Sequence, residues 1–258
     1  MSAQDPDAYA LVFEDIHKSF GSQKVLDGLN MKIPRGCITV IIGRSGTGKS
    51  VTLKHAMGLM LPDHGRIWVG DRELTRMGNR ERREIRLRFG MVFQHAALFD
   101  SMSVYDNVAF GLREHTKLSE AEVRQRVEAV LTEVGLFFAI DKSPAELSGG
   151  MKKRAGLARA VVHTPEILLY DEPTTGLDPI LTATIDQLIT ETQARNVGMT
   201  SLVVSHDMEA TFEIADHILM LHDGRIVAEG PPRWFRTTGD PLVRQFIEGR
   251  LDGPMTVE

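Results

Sequence analysis

An octapeptide, Gly43-Arg44-Ser45-Gly46-Thr47-Gly48-Lys49-Ser50, leaves this chain few architectures. Its spacing is G-x-x-x-x-G-K-[ST]. The glycines let the backbone wrap an anion so that successive N–H groups point inward, and a helix leaving the loop adds partial positive charge at its N-terminus. That geometry requires a strand to deliver the loop and a helix to carry the chain away. Both are legible here. Residues 37–42 form an almost continuous apolar run, the pattern of a strand buried on both faces. The segment running on to Leu59 reads as a helix closed by Leu61-Pro62. In this setting Lys49 reaches the β- and γ-phosphates of a nucleotide, and the Ser50 hydroxyl is a ligand for Mg²⁺. A plain glycine-rich turn is the competing reading, and it gives no reason for the flanking strand and helix.

A second apolar run, Ile167 to Leu169, ends in Tyr170-Asp171-Glu172. Such a strand delivers its first acid to the end of the sheet where phosphate loops also emerge. Asp171 is then a Mg²⁺ anchor, directly or through water, and Glu172 the group that polarises an attacking water. Standing alone, the pair is better read as a solvated strand end or a helix cap. Beside a phosphate loop the chemical reading takes precedence.

Along the rest of the chain, residues 11–20 and 24–33 flank a Gly21-Ser22 turn and read as an antiparallel hairpin, broken by Pro34-Arg35-Gly36. Residues 65–69 and 89–94 have strand character. From Ser103 to about Glu146 strand-like runs disappear. Residues 119–134 place Val123, Val127, Val130, Leu131 and Val134 on one helical face. Ser119 with Glu122 is a capping box for that helix, with Leu118 and Val123 as its hydrophobic staple. This stretch reads as a helical subdomain, about 103–160, inserted into an α/β domain spanning 8–250, with a short tail at 251–258. Strands at 167–171 and 200–205, helices at 150–163, 179–195 and 208–215, and a hairpin over 218–228 complete the pattern. Such alternation implies a mainly parallel sheet with helices on both faces.

Composition removes several classes. With 30 basic against 35 acidic side chains and a net charge of −5, nothing marks a nucleic-acid binder. The basic run at 80–88 is interleaved with Glu81 and Glu84 and reads as a solvated helix face. The single cysteine, Cys37, excludes an internal disulfide and fits a reducing compartment. No apolar run approaches the roughly 20 residues needed to span a bilayer. Met1 to Ala8 is polar and acidic, unlike a signal peptide, so the expectation is a cytosolic chain whose membrane role comes through a partner. His217 and His222 lie five apart in a strand and face opposite sides. His95, His115 and His163 have no partner at ligand spacing.

A phosphate loop with an acidic strand end serves many nucleotide enzymes. The discriminating residues lie elsewhere. Leu147-Ser148-Gly149-Gly150-Met151 resembles the signature of ABC ATPases, usually L-S-G-G-Q. Here Ser148 caps a helix whose first-turn N–H groups make a second anion site. Gln94 resembles the family's Q-loop glutamine, Thr175-Gly176-Leu177-Asp178 its D-loop, and His206 its switch histidine. Phe20 stands near where the family stacks an aromatic on adenine. All fall in family order and cover nearly the whole chain. The fold the resemblance implies is α/β, a P-loop NTPase of the ABC type with an N-terminal antiparallel β subdomain and an inserted helical subdomain. The activity it implies is ATP hydrolysis with Mg²⁺. Residues 43–50 hold the phosphates, with Ser50, Gln94 and Asp171 around the metal. Lys49, Gln94, Glu172 and His206 act in catalysis. Ser148, Gly149, Gly150 and Asp178 come from a second copy in a homodimer, which closes on ATP and opens after hydrolysis.

Three stretches resemble one branch, the MlaF-type ATPase subunits of Mla/Mce phospholipid transport systems. They are residues 147–160, with Met151 for glutamine followed by Lys152-Lys153-Arg154, residues 97–116, and the tail over 243–254. That branch implies an MlaE-like permease, an MCE-domain protein and, as an optional subunit, a STAS-domain protein on the helical insertion. It puts the chain on the cytoplasmic face of the inner membrane, energising lipid movement between two membranes. Some relatives continue past the shared tail and reach the neighbouring copy, a contact not carried over to a sequence ending at Glu258. Leu98, Phe99, Met102, Val104 and Tyr105 are expected in a groove for the permease's coupling helix, with a core role as the other reading. The rival within the class is the ATPase of a small-solute, amino-acid-like importer. A soluble ABC protein acting on DNA or ribosomes fits poorly, because the chain has one cassette and no coiled-coil or zinc insertion. A non-catalytic regulatory subunit conflicts with Lys49, Asp171 and Glu172 all being present.

Overall fold

The computed structural model describes residues 7–255; residues 1–6 of the polar N-terminus and the last three residues of the 251–258 tail lie outside it. The chain opens with strands β1 (Tyr9–Phe20), β2 (Gln23–Pro34) and β3 (Ile38–Ile42), then helix α1 (Lys49–Ala56). Next come β4 (His64–Val69), β5 (Arg72–Glu73), α2 (Asn79–Arg86) and β6 (Phe89–Val92). Three helices follow, α3 (Val104–His115), α4 (Glu120–Glu133) and α5 (Gly149–Val161), before β7 (Ile167–Asp171), α6 (Pro179–Arg195) and β8 (Thr200–Val204). The chain finishes with α7 (Met208–Ile214), β9 (His217–His222), β10 (Arg225–Gly230), α8 (Pro232–Thr237) and α9 (Pro241–Glu248). Its contacts divide it into two compact units: one runs to Arg86 and resumes at Leu202, and the other is Leu87–Ser201.

In the first unit β2, β1, β4 and β5 form an antiparallel sheet in that order. The expected hairpin closes with Phe20 opposite Gln23. β1 bulges at Asp15, whose φ is 51°, and Gly65 of β4 lies so close to that bulge that a Cβ on it would fall 2.3 Å from the Asp15 carbonyl oxygen. β3 is buried at every position and pairs in parallel with β9, Val40 opposite Ile218, while β9 pairs antiparallel with β10. A strand that is apolar on both faces must be covered on both, and residues 38–42 have that character. The tail packs back: the Gln245 side chain, 4% exposed, donates to Met255 O and accepts from Met255 N.

In the second unit β6 and β7 pair in parallel, Phe89 opposite Ile167 and Val92 opposite Tyr170. Close approach sets Gly90, because a Cβ there would fall 2.4 Å from the Ala160 carbonyl oxygen of α5. Tyr170 is fully buried, which pushes its phenol pKa upward. α3, α4 and α5 pack on one another through Val108, Leu112, Val123, Val127, Leu131 and Leu157, each at most 2% exposed. The Ser119–Glu122 capping box is present at the start of α4.

Two expectations are corrected here. β6 ends at Val92 rather than Gln94, because Phe93 turns out to solvent at 38% exposure and the following residues turn tightly. Val104 does not line a groove. It is fully buried as the first residue of α3, a helix capped by Ser103 accepting from Asp106 N. Of the other groove candidates, Phe99 is exposed and stacks on Phe110 at 5.1 Å, and Leu98, Met102 and Tyr105 are half-buried. The loop before α3 is held by the buried Asn107, whose side chain accepts from Phe99 N and donates towards the carbonyls of Phe99, Met102 and Ser103. No helix among the described residues is long and apolar enough to cross a membrane.

Candidate functional site

In the first unit, β3 ends at Ile42 and residues 43–48 wrap into the first turn of α1. The wrap needs left-handed backbone at Gly43, Gly46 and Gly48, with φ of 154°, 80° and 101°. Two of these positions are also too tight for a side chain. A Cβ on Gly43 would fall 2.3 Å from Leu221 O, and one on Gly48 would fall 2.9 Å from Leu26 Cδ2. Gly48 caps α1 without any side-chain hydrogen bond, and the first turn carries no acidic residue, so no carboxylate of the helix competes for its N–H groups. Lys49 is 4% exposed and its Nζ donates to Gly43 O and Arg44 O, both at 2.8 Å. The ammonium is thereby folded back against the loop it follows. Ser50 is half-buried one residue further on; Arg44, Ser45 and Gly46 are exposed, and Thr47 donates to Arg44 O. Residues 44–47 line a cavity of about 520 Å³ whose other walls include Lys24, Val25, His222 and Asp223. Phe20, 45% exposed at the β1–β2 turn, lies outside that lining, with Lys18 Nζ 5.7 Å from its ring centre. A larger cavity of about 660 Å³, walled by Glu14, Lys32 and Arg66 among others, contains none of the predicted residues.

In the second unit, Asp171 is the last residue of β7 and Glu172 follows with φ 48°. A glutamate in left-handed backbone costs about 1–2 kcal/mol, and such strain persists only where its surroundings impose it. Two side chains grip the carboxylate. Thr175 Oγ1 donates to Glu172 Oε2 at 3.0 Å, and Gln94 Nε2 approaches the same oxygen at 3.4 Å. The predicted Gln94 and Glu172 are therefore brought together, and Thr175 joins them. Nothing in the sequence marks Thr175 beyond its place in the loop that resembles the D-loop. The described residues hold no group of three His, Cys, Asp or Glu able to bind a metal by themselves. Asp171, at the end of β7, is an oxygen donor of the kind of which Mg²⁺ takes one or two, completing its shell with phosphate oxygens and water.

Ser148 caps α5, its hydroxyl accepting from Met151 N at 3.3 Å. Ser148 and Gly149 are exposed, and the first turn of α5 holds no acid, so the start of the helix brings a net positive bias to the surface. Gly150 is buried under Leu181, 3.2 Å from where a Cβ would stand. Asp178 caps α6, accepting from Ile180 N and Leu181 N at 3.0 Å each. In the first unit, His206 is exposed just beyond β8, where Ser205 and Asp207 organise the turn into α7.

Arg159 is not singled out by the sequence, and Lys153 enters it only within the run Lys152-Lys153-Arg154, without a role. Lys153 is 7% exposed, and its Nζ makes a short hydrogen bond to Gln94 O. Burial pulls its pKa down, and the Glu172 carboxylate partly restores it. Arg159 donates to Ala96 O and Ala97 O, and burial lowers its pKa too. Nothing in a basic run after Ser148 distinguishes a buried cation from a solvated one.

With this geometry in view, the sequence matches the family described as ABC transporter over residues 26–175. It is 44% identical to a probable ribonucleotide transport ATP-binding protein of Mycobacterium leprae, over 97% of this chain and 72% of that one. It is 43% identical to the intermembrane phospholipid transport system ATP-binding protein MlaF of Haemophilus influenzae, over 91% of this chain and 89% of that one. Among solved structures, a dimeric ATP-binding cassette in a post-hydrolysis state with ADP and Pi is similar at a TM-score of 0.78 and 28% identity, over 86% of this chain and 99% of that one.

Proposed function

This chain belongs to the ABC transporter family, as an ABC-type ATPase, and we propose that it energises phospholipid transport between two membranes through a partner permease. The observation that carries the catalytic half is Glu172, kept in left-handed backbone at the end of β7 with its carboxylate gripped by Thr175 and Gln94. The loop over residues 43–50 and the buried Lys49 receive the phosphates, and Phe20 offers a ring to adenine. Mg²⁺, when bound, neutralises charge on the phosphate oxygens; Ser50, Asp171 and Gln94 are the residues to hold or orient it. Glu172 orients the attacking water and takes its proton, and His206 donates to the γ-phosphate. The α5 start at Ser148, Gly149 and Gly150, with Asp178, serves the nucleotide of a second copy, so that ATP draws two copies together and hydrolysis releases them. Dimeric relatives of the same fold support this arrangement.

The lipid substrate rests on the likeness to MlaF, which extends over 89% of that protein. The likeness to the mycobacterial protein, at 44% identity over 72% of its length, favours ribonucleotide transport as the second reading. On the phospholipid reading, the partners are an MlaE-like permease and an MCE-domain protein, with a STAS-domain subunit in some systems, at the cytoplasmic face of the inner membrane. Purification in mild detergent separates the two readings. Co-purification of a permease with an MCE-domain protein, and ATP-dependent transfer of labelled phospholipid between vesicles, is the expected result. A solute-importer permease without lipid transfer contradicts it.

A further inference from the structure

The segment after β6 adopts an unlikely backbone. Ala96 and Ala97 both lie in left-handed territory, at φ 58° and 48°, although neither residue has any preference for it. Local hydrogen bonds are few: Ala96 N to Phe93 O and Ala97 N to His95 O. What holds the segment comes from α5. Three of its carbonyls, those of Gln94, Ala96 and Ala97, accept from two cations of that helix, Lys153 and Arg159. Between the cations Gly156 brings the helix against Ala96, where an added Cβ would stand 3.3 Å from Ala96 Cβ. Positions 153, 156 and 159 are three apart and so share one face of α5. α5 is the helix that begins at Ser148.

We propose that Lys153 and Arg159 are positioning residues that fasten the 94–97 backbone to α5, so that a shift of this helix when Ser148 and Gly149 engage a phosphate moves the Gln94 side chain against Glu172. A buried lysine and a half-buried arginine, both with main-chain acceptors, make the coupling stiff. If the helix moved alone, the Lys153 charge would be left in a poorly solvated site without its acceptor and Arg159 would lose two, so the segment and the helix move together. The acceptors are carbonyls, which makes the fastening independent of the side chains at 96 and 97. Gln94 reaches Glu172 Oε2 through its side chain while its own carbonyl is held by Lys153. One residue therefore links the helix to the carboxylate. The inference rests on the roles proposed above for Gln94 and Glu172.

The test uses the full-length chain with Lys153→Met and Lys153→Arg, and Lys153→Gln in place of the methionine variant if that aggregates. Backbone hydrogen exchange is read at residues 94–98 and across α5, together with ATP affinity and saturated turnover. The expected result is exchange at 94–98 accelerated about tenfold, with α5 within about twofold. Turnover falls about tenfold at an ATP affinity unchanged within about twofold, and the arginine variant recovers most of both. Unchanged exchange at 94–98 overturns the fastening. Faster exchange with unchanged turnover overturns the relay. A parallel loss of affinity, turnover and melting temperature that arginine does not rescue reduces Lys153 to general packing. Exchange measured in a Glu172→Gln background keeps the two questions apart. If that variant stays fully active, the role of Glu172 fails while the exchange result still decides the fastening.

Discussion

Replacing Glu172 by glutamine changes one carboxylate oxygen to an amide nitrogen and leaves the shape of the residue intact. Its hydrogen bonds to Thr175 and Gln94 sense little of it, although the buried Lys153 loses a nearby negative charge. Glu172 Oε2 accepts from Thr175 at 3.0 Å, a bond the glutamine carbonyl keeps, while the 3.4 Å approach of Gln94 is at the weak end of hydrogen bonding. The backbone strain at φ 48° is common to both residues, so it cancels. The fold should therefore lose less than about 1 kcal/mol. Turnover is a different matter. A positioned base contributes about 10²–10⁴ in rate, or roughly 3–5 kcal/mol of barrier. The effect on the barrier thus exceeds the effect on the fold several-fold. Phosphate release at saturating ATP should fall at least about a hundredfold, with a melting temperature within a few degrees of the parent. ATP binding, followed with a fluorescent analogue, should be unchanged, and ATP should accumulate a dimer on a sizing column. Turnover above about a tenth of the parent's would refute the assignment of Glu172 as base, as would a loss traced wholly to weaker ATP binding.

Lys49→Ala removes a buried ammonium folded over the phosphate loop, so ATP affinity and turnover should fall together by about tenfold or more in a titration and a rate assay; full activity sinks the phosphate-loop assignment. Asn107→Ala strips the loop over 99–103 of the amide that serves Phe99 N and three carbonyls, and should cost about 2 kcal/mol, a melting drop of about 5 °C by calorimetry. A shift below about one degree would show that water replaces the amide without penalty.

Residues whose own chemistry dictates their surroundings are legible in the sequence. β7 and α6 occupy the segments read for them, because an apolar run ending in Asp171 and an Asp178-Pro179 start each carry their own boundary. The glycines at 43, 46 and 48 stand where the backbone turns left-handed. α3 is not among the helices read individually from the helical stretch, although Ser103 with Asp106, and Val104, Val108 and Leu112 four apart, carry a capped amphipathic helix. The cations of α5 are a different case. Lys153 and Arg159 act on main-chain carbonyls, and a carbonyl acceptor leaves no residue type behind to be read. The left-handed alanines at 96 and 97 likewise have no signature, since alanine favours the helix it is denied here.

That one nucleotide is held by two copies of this chain is open to a direct measurement. Lys49→Ala disables the loop of one copy while sparing its α5 start. Gly149→Asp does the reverse: residue 149 is exposed, a Cβ there would meet Leu177 only at an ordinary 3.7 Å, and an acid in the first helical turn does not weaken the helix, yet it repels an incoming phosphate. Each variant alone should keep about a tenth of the parent's turnover or less. Mixed in equal amounts, half of the dimers pair one of each and carry one intact site of two, so turnover should return to about a quarter of the parent's. A mixture no more active than its two components measured apart would contradict the shared site.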